Sequence, residues 1–132
     1  YGDHRDLHSF PTRRSSDLPP VTGDPARIKQ VLLNILDNAA KYGRRGRKIE
    51  LTSGVEGEYV RVSVRDHGPG FADEDLPHVK ERFYKGRGKE RGSGIGLAVC
   101  DEIVTRHGGR LVIGNAEGGG GQVCVELPIK TQ

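Results

Sequence analysis

Residues 24–42 fit a helix with two chemically different faces. At about 100° per residue, five apolar side chains fall on one stripe; they are Ile28, Val31, Leu32, Ile35 and Ala39. Asp24 can cap the free N–H groups at the helix start, and Pro25 suits the first helical position. The pattern predicts a helix that begins at Asp24-Pro25, buries this stripe and ends near Tyr42 before Gly43.

Polar side chains border that stripe. Asn34, Asn38 and Lys41 share one arc of the helix, with Tyr42 between them and the apolar centre. Asn is a poor helix former that competes for backbone hydrogen bonds, so a helix that needed only solubility would favour Glu or Lys. Two Asn one turn apart therefore suggest a ligand, although amides that cap neighbouring backbone on a half-buried face would give the same pattern.

The next segment predicts an antiparallel hairpin that ends in a polar loop. Apolar and polar residues alternate over 49–55 and again over 60–64, which indicates two strands with one apolar face. The second strand runs into Asp66, followed by Gly68 and Gly70. An acid at a strand end beside glycines suits a flat ligand that approaches the backbone, whereas a type II turn alone would also use Pro69-Gly70.

A second glycine cluster opens another predicted helix at residues 92–97. Exposed N–H groups and the helix dipole at such a start favour phosphate. It is neither a P-loop nor a dinucleotide fingerprint, because no Lys-Ser/Thr pair follows and no strand precedes it. Residues 71–92 are predicted to form a long polar, mobile segment. His107 is expected to partner the helix C-terminus, and no chemical group is expected in the closing hairpin around Gly118–Gly121.

Composition restricts the class of protein. The 132 residues are 33% hydrophobic and 30% charged, which favours one domain with a thin core. There is no apolar run of about 20 residues and no signal-peptide pattern, and Cys100 and Cys124 lie far apart in apolar contexts. We therefore expect a cytoplasmic domain with reduced cysteines. The net charge of +3, with few aromatic residues near its basic cluster, argues against nucleic-acid binding.

Residues 1–18 differ from the rest of the chain. They show no helical or alternating period, and the run from His8 to Leu18 resembles the in-frame translation of a widely used sequencing-library adapter oligonucleotide. We interpret residues 1–18 as a non-native, disordered segment that replaces the natural residues here. The domain itself is expected to span residues 19–132.

The order of these motifs resembles the ATP-binding catalytic domain of sensor histidine kinases, within the superfamily of gyrase, Hsp90 and MutL ATPases. The resemblance covers residues 21–128: 34–42 match the N box, 66–70 the first glycine box, 81–86 the F box and 92–97 the second glycine box. The sequence departs from the family at Lys80, where an aromatic or aliphatic residue is usual.

The resemblance implies a two-layer α/β sandwich of the Bergerat type, with three helices on a mixed, mostly antiparallel sheet. It further implies that Asn38 coordinates Mg²⁺, that Asn34 and Lys41 hold phosphate, and that Asp66 accepts a hydrogen bond from the adenine amino group of ATP. The remaining nucleotide-binding residues implied by the resemblance are Tyr42, Gly68, Gly70, Phe83, Lys85, Arg87, Gly92, Ser93, Gly94, Gly96 and Leu97.

The resemblance also implies partners that this chain does not contain. Histidine kinases transfer phosphate to a His on a separate dimerisation domain, and none of the five His lies in such a context. We expect this chain to be the monomeric C-terminal catalytic fragment of a longer, homodimeric kinase whose sensor and dimerisation parts lie upstream. Upstream segments would anchor such a parent in the membrane, and its phosphorelay partner would be a response regulator. The alternatives are a Ser/Thr kinase like the anti-sigma-factor kinases and a non-catalytic nucleotide-binding module.

Overall fold

The computed structural model describes residues 18–42, 48–81 and 96–130, apart from the Tyr42 side chain. Two α-helices are present, α1 (Pro25–Tyr42) and α2 (Gly96–Arg106). Four strands accompany them: β1 (Ile49–Glu56), β2 (Tyr59–Asp66), β3 (Arg110–Asn115) and β4 (Gly121–Pro128). A short 3-10 helix covers Leu76–His78. Both predicted hairpins are confirmed, and most of the predicted adapter-derived segment lies outside the described residues.

The strands form one sheet in the order β1-β2-β4-β3. All three pairings are antiparallel, so the second hairpin inserts its later strand beside β2. Arg65 lies opposite Gln122 across the central pair, and Asn115 lies opposite Gly121 at the end of the second hairpin. The predicted two-layer sandwich is confirmed, and the described ranges contribute two α-helices to its helical layer.

The core lies between the two helices and the sheet. Helix α1 buries Val31, Ile35 and Ala39, as its apolar stripe predicts. Its start is capped as expected, because the Ala26 N–H donates to Asp24 Oδ1 at 3.0 Å. The larger cluster joins these residues to α2, β2, β3 and β4 through Val64, Cys100, Ile103, Val104, Leu111, Val123, Val125 and Leu127.

The first hairpin departs from the simple pattern of one buried and one exposed face. Leu51 on β1 is 60% exposed although its neighbour across the pair, Val64, is buried. This follows from the sheet order, because β1 is an edge strand and α1 packs on β2 and β4. On the opposite face of β2, Arg61 is fully buried, with its guanidinium 3.6 Å from the Glu126 carboxylate. The alternation of residues along these strands therefore shows which face of the sheet a side chain lies on, but not how deeply that side chain is buried.

His107 connects the end of α2 to the start of α1. Its Nε2 accepts the Asp24 N–H at 3.1 Å, and its Nδ1 lies 2.8 Å from the Ile103 carbonyl. Because an N–H can only donate and a carbonyl can only accept, the ring is the neutral tautomer with its proton on Nδ1. The expected role at the helix C-terminus is confirmed and extends to a link between the two helices.

No helix within the described ranges has the length and apolar character needed to cross a bilayer.

Candidate functional site

The polar border of α1 has the environment that a ligand-binding face requires. Asn34 and Asn38 are half-buried, whereas Lys41 is exposed. The Lys41 ammonium lies 3.1 Å from the Asp37 carboxylate, one turn earlier. An exposed pair of this kind contributes little stability, so Lys41 can turn toward an anionic ligand at small cost.

Cys100 lies behind this border and holds the helices together. The buried Sγ donates to the Val31 carbonyl at a distance of 3.7 Å. Burial raises the pKa of this thiol from 9.0 to about 11, while a hydrogen bond with the Asn34 side chain lowers it by less. Cys100 therefore remains a protonated thiol at neutral pH and contacts the helix segment that carries the paired amides.

Asp66 is fixed at the end of β2 by two backbone donors. Its side chain is buried, with the residue only 5% exposed. Oδ1 accepts the Gly68 N–H at 2.9 Å and the Gly121 N–H at 3.1 Å. A carboxylate can accept about four hydrogen bonds, so two donors on Oδ1 leave Oδ2 able to accept one from a ligand.

The loop after Asp66 is closed by Asn115. The Phe71 N–H donates to Asn115 Oδ1 at 2.7 Å, and Asn115 Nδ2 donates to the Phe71 carbonyl at 2.8 Å. Gly70 has a φ of +77°, and a Cβ there would lie 2.6 Å from Asn115 Oδ1. Glycine at residue 70 is therefore required by backbone conformation and by the close approach of this side chain.

The closing hairpin thus contributes hydrogen bonds to the Asp66 loop that the sequence did not predict. The expectation of no chemical group there is wrong, because Asn115 and Gly121 both bind the Asp66 loop. Only tertiary structure brings them together, since Gly121 is 55 positions from Asp66. The four consecutive glycines and the preceding Asn are the sequence signal that could have drawn attention to this turn.

Lys80 shows how the chain accommodates its departure from the F-box pattern. Its Nζ donates to the Leu111 carbonyl on β3 at 2.6 Å and lies 3.3 Å from the Asp101 carboxylate on α2. The charged Lys80 side chain therefore ties its part of the polar segment 71–92 to both layers of the sandwich. Its long aliphatic stem allows the ammonium to reach these partners.

Several predicted site residues cannot be placed by the structure. Gly96 begins α2, and Leu97 in its first turn is half-buried. Tyr42 ends α1, but its side chain is outside the described part of the chain. The following predicted residues also lie outside it: Phe83, Lys85, Arg87, Gly92, Ser93 and Gly94.

The described elements converge at one end of the sandwich. The helices are antiparallel, because His107, directly after α2, contacts Asp24, directly before α1, and Cys100 contacts Val31. The start of α2 therefore lies beside the second half of α1, which carries the polar border. Val21 bridges to Ile129 beyond β4, which places the start of α1 at the sheet end opposite Asp66. The amides of α1, the first turn of α2 and the Asp66 loop consequently belong to the same end.

This end of the sandwich offers an acceptor for a base and amide groups with a helix N-terminus for phosphates, which is the chemistry of a nucleotide-binding domain. Comparison with known proteins identifies the family. Residues 23–131 match the family described as "Histidine kinase-, DNA gyrase B-, and HSP90-like ATPase". The chain belongs to this family of ATPases, and the resemblance found in the sequence motifs is confirmed.

Similar proteins narrow the comparison to sensor kinases. The chain is 36% identical over 114 residues to the signal transduction histidine-protein kinase BaeS of Escherichia coli, covering 83% of the chain and 24% of BaeS. Its fold matches mycobacterial sensor histidine kinase MprB with a TM-score of 0.75 at 29% identity, covering 85% of this chain and 78% of that one. Full-length ShkA, solved in complex with AMPPNP, matches with a TM-score of 0.71 at 32% identity over 87% of this chain and 24% of that one.

These matches cover only part of the longer relatives. The chain spans about a quarter of the length of BaeS and of ShkA. The shared part is the ATP-binding catalytic domain of histidine kinases, as the family match indicates.

Proposed function

We propose that this chain binds Mg-ATP and, in its parent protein, donates the γ-phosphoryl group to a histidine on a separate dimerisation domain. The observation that carries the proposal is the fixed carboxylate of Asp66, held by two backbone N–H groups at the end of the sandwich where Asn34 and Asn38 lie. Phosphoryl transfer depends mainly on positioning and on neutralisation of charge, and this arrangement favours both.

The adenine end would be organised by the Asp66 loop. Oδ2 of Asp66 would accept a hydrogen bond from the adenine amino group, while Oδ1 remains held by Gly68 and Gly121. Gly68 and Gly70 would let the flat base approach the backbone, and Tyr42 would pack near it. Guanine presents an acceptor in place of the amino group, so the same carboxylate would disfavour GTP.

The phosphate end would be organised by α1 and the start of α2. Asn38 would be a metal ligand through its amide oxygen, and Asn34 and Lys41 would bind phosphate oxygens. Magnesium in kinase sites commonly takes only one or two protein ligands and completes its shell with phosphates and water. When bound, the ion would neutralise phosphate charge.

The resemblance implies that part of the polar segment 71–92 forms a lid over ATP, and this lid would complete the phosphate site. Lys85 or Arg87 and the glycines at 92, 94 and 96 would close over the phosphates, with Phe83, Ser93 and Leu97 beside them. Support comes from the order of the boxes in the sequence and from Lys80, which anchors the segment that leads into this region.

The partners would be those of a two-component system. The phosphoacceptor would be a His on the dimerisation domain of the parent kinase, itself a homodimer, and the phosphate would pass to a response-regulator aspartate. The similarity to BaeS and MprB, both named as histidine kinases, supports this over a Ser/Thr kinase of the anti-sigma-factor type. The non-catalytic alternative is disfavoured because Asn38, Asp66 and the glycines of both boxes are all retained.

Labelled ATP tests this proposal. The chain should bind ATP in the presence of Mg²⁺ yet take up no phosphate alone, and a cognate dimerisation domain added in trans should become labelled on His. Asn38→Ala should abolish transfer without unfolding the chain, whereas Thr105→Ala, an exposed change on α2, should have no effect. Acid-labile label on this chain alone, or labelled Ser or Thr on the partner, would contradict the proposal.

A further inference from the structure

The second hairpin holds the Asp66 loop at both of its ends. At the first end, the Gly121 N–H donates to Asp66 Oδ1 at 3.1 Å. At the second end, Asn115 exchanges two hydrogen bonds with the Phe71 backbone, at 2.7 and 2.8 Å. Asn115 and Gly121 lie directly opposite each other across β3 and β4. One cross-strand pair, which we call the Asn115–Gly121 pair, therefore spans the loop.

The turn that carries this pair is itself fixed to the sheet. The Ala116 N–H donates to the Gly120 carbonyl at 2.9 Å and closes the turn. The Arg65 guanidinium donates twice to the Gly119 carbonyl, at 3.2 and 2.9 Å. Because Arg65 directly precedes Asp66 on β2, its bonds to Gly119 fix the position of the turn relative to the Asp66 loop. A rigid support of this kind keeps a binding group in its productive geometry.

From this geometry we infer that Asn115 is a positioning residue for base recognition, acting through the Asp66 loop. The inference rests on the proposed function, in which Asp66 reads adenine. Asn115 accepts from one Phe71 group and donates to the other, so the amide fits both bonds where a carboxylate fits only one. Loss of the clamp would allow the loop to leave its binding conformation, and the apparent dissociation constant rises as the competent fraction falls.

Binding of ATP, GTP and inorganic tripolyphosphate by Asn115 variants tests the inference. Asn115→Ala should weaken ATP binding by about tenfold and reduce the preference for ATP over GTP, because the lost bonds position only the base end. Tripolyphosphate affinity should stay within about twofold, since the phosphate end lies on the helices. Asn115→Asp should match or exceed the ATP loss, because its second oxygen would face the Phe71 carbonyl. Glu117→Ala, an exposed change in the same turn, is the matched control.

Two results would overturn the inference. Equal losses for all three ligands would mean that Asn115 only stabilises the fold, and unchanged ATP binding in both variants would mean that the clamp is dispensable. Asp66→Asn, measured in parallel, separates this from failure of the proposed function. If Asp66→Asn alters base preference and the Asn115 variants do not, only the inference fails; if Asp66→Asn leaves base preference intact, the proposed adenine site fails.

Discussion

Gly120→Ala should damage the fold and the site together. Gly120 has a φ of +86°, and a Cβ there would lie 1.9 Å from the Asp66 carbonyl oxygen and 2.8 Å from its carbon. A non-glycine residue at positive φ costs about 1–3 kcal/mol. The two backbones would also have to separate by more than an ångström, and overpacking of this kind typically costs about 1–3 kcal/mol. The expected loss is therefore about 2–6 kcal/mol of unfolding free energy.

Gly119→Ala is the matched control in the same turn. Gly119 has a φ of +110°, but a Cβ there would meet nothing within 4 Å. It should therefore lose only the conformational part, about 1–3 kcal/mol. The difference between the two variants isolates the contact with Asp66.

Thermal unfolding and nucleotide titration measure this difference. For a domain of this size, about 1–3 kcal/mol corresponds to a further fall of roughly 4–12 °C in Tm for Gly120→Ala. Its ATP affinity should also fall below that of Gly119→Ala at a temperature where both are folded, because the contact displaces Asp66. Equal Tm losses, or equal ATP affinities, would refute the claim that the turn sets the position of this carboxylate.

Two further predictions concern the helices. Cys100→Ser should flatten the decline of unfolding free energy between pH 9 and 11 in urea titrations: the pKa of the thiol is raised from 9.0 to about 11, so the unfolded chain loses its proton first and stability falls as pH rises. An unchanged slope would show that the thiol is not protected in the folded chain. His107→Ala should lower the unfolding free energy by about 1–2 kcal/mol, because it removes the bond from the Asp24 N–H that joins α1 to α2 and the bond to the Ile103 carbonyl that holds the ring at the end of α2. Thr105→Ala should leave it nearly unchanged, and equal losses in the two variants would rule out the link.

Local patterns predicted the elements that depend on local chemistry. Helix α1 begins at Pro25 and ends at Tyr42 as its cap and apolar period indicate. The alternating residues form β1 and β2 in an antiparallel pair. Both results follow because capping, turn formation and side-chain period act within a few residues of each other. The polar border of α1 was likewise readable from its helical spacing.

Contacts between residues distant in sequence could not be predicted from these local patterns. Leu51 is exposed because its strand lies at the sheet edge, which depends on the sheet order and not on its own alternation. Asn115 and Gly121 reach the Asp66 loop only because β4 pairs with β2. Lys80 departs from the family pattern, yet a carbonyl on β3 and a carboxylate on α2 bind its ammonium. Each of these depends on residues distant in sequence.

Asp66 and Asn38 are proposed to bind opposite ends of the nucleotide, the base and the metal-bound phosphates. Asp66→Asn replaces the carboxylate that is proposed to accept a hydrogen bond from the base, and losing such a bond to a charged acceptor costs about 1.5–3 kcal/mol, or about one to two orders of magnitude in affinity. The loss should be similar for ATP and ADP and should erode discrimination against GTP. Asn38→Ala removes the proposed metal ligand, so its defect should grow with Mg²⁺ and leave base preference intact.

Calorimetric titration of Asp66→Asn and Asn38→Ala with ATP, ADP and GTP, with and without Mg²⁺, tests this claim most directly. The account predicts that the Asp66 variant responds to the base and is indifferent to the metal, while the Asn38 variant responds to the metal and is indifferent to the base. A single common loss in both variants, independent of base and of Mg²⁺, would contradict it and would assign both residues to the fold alone.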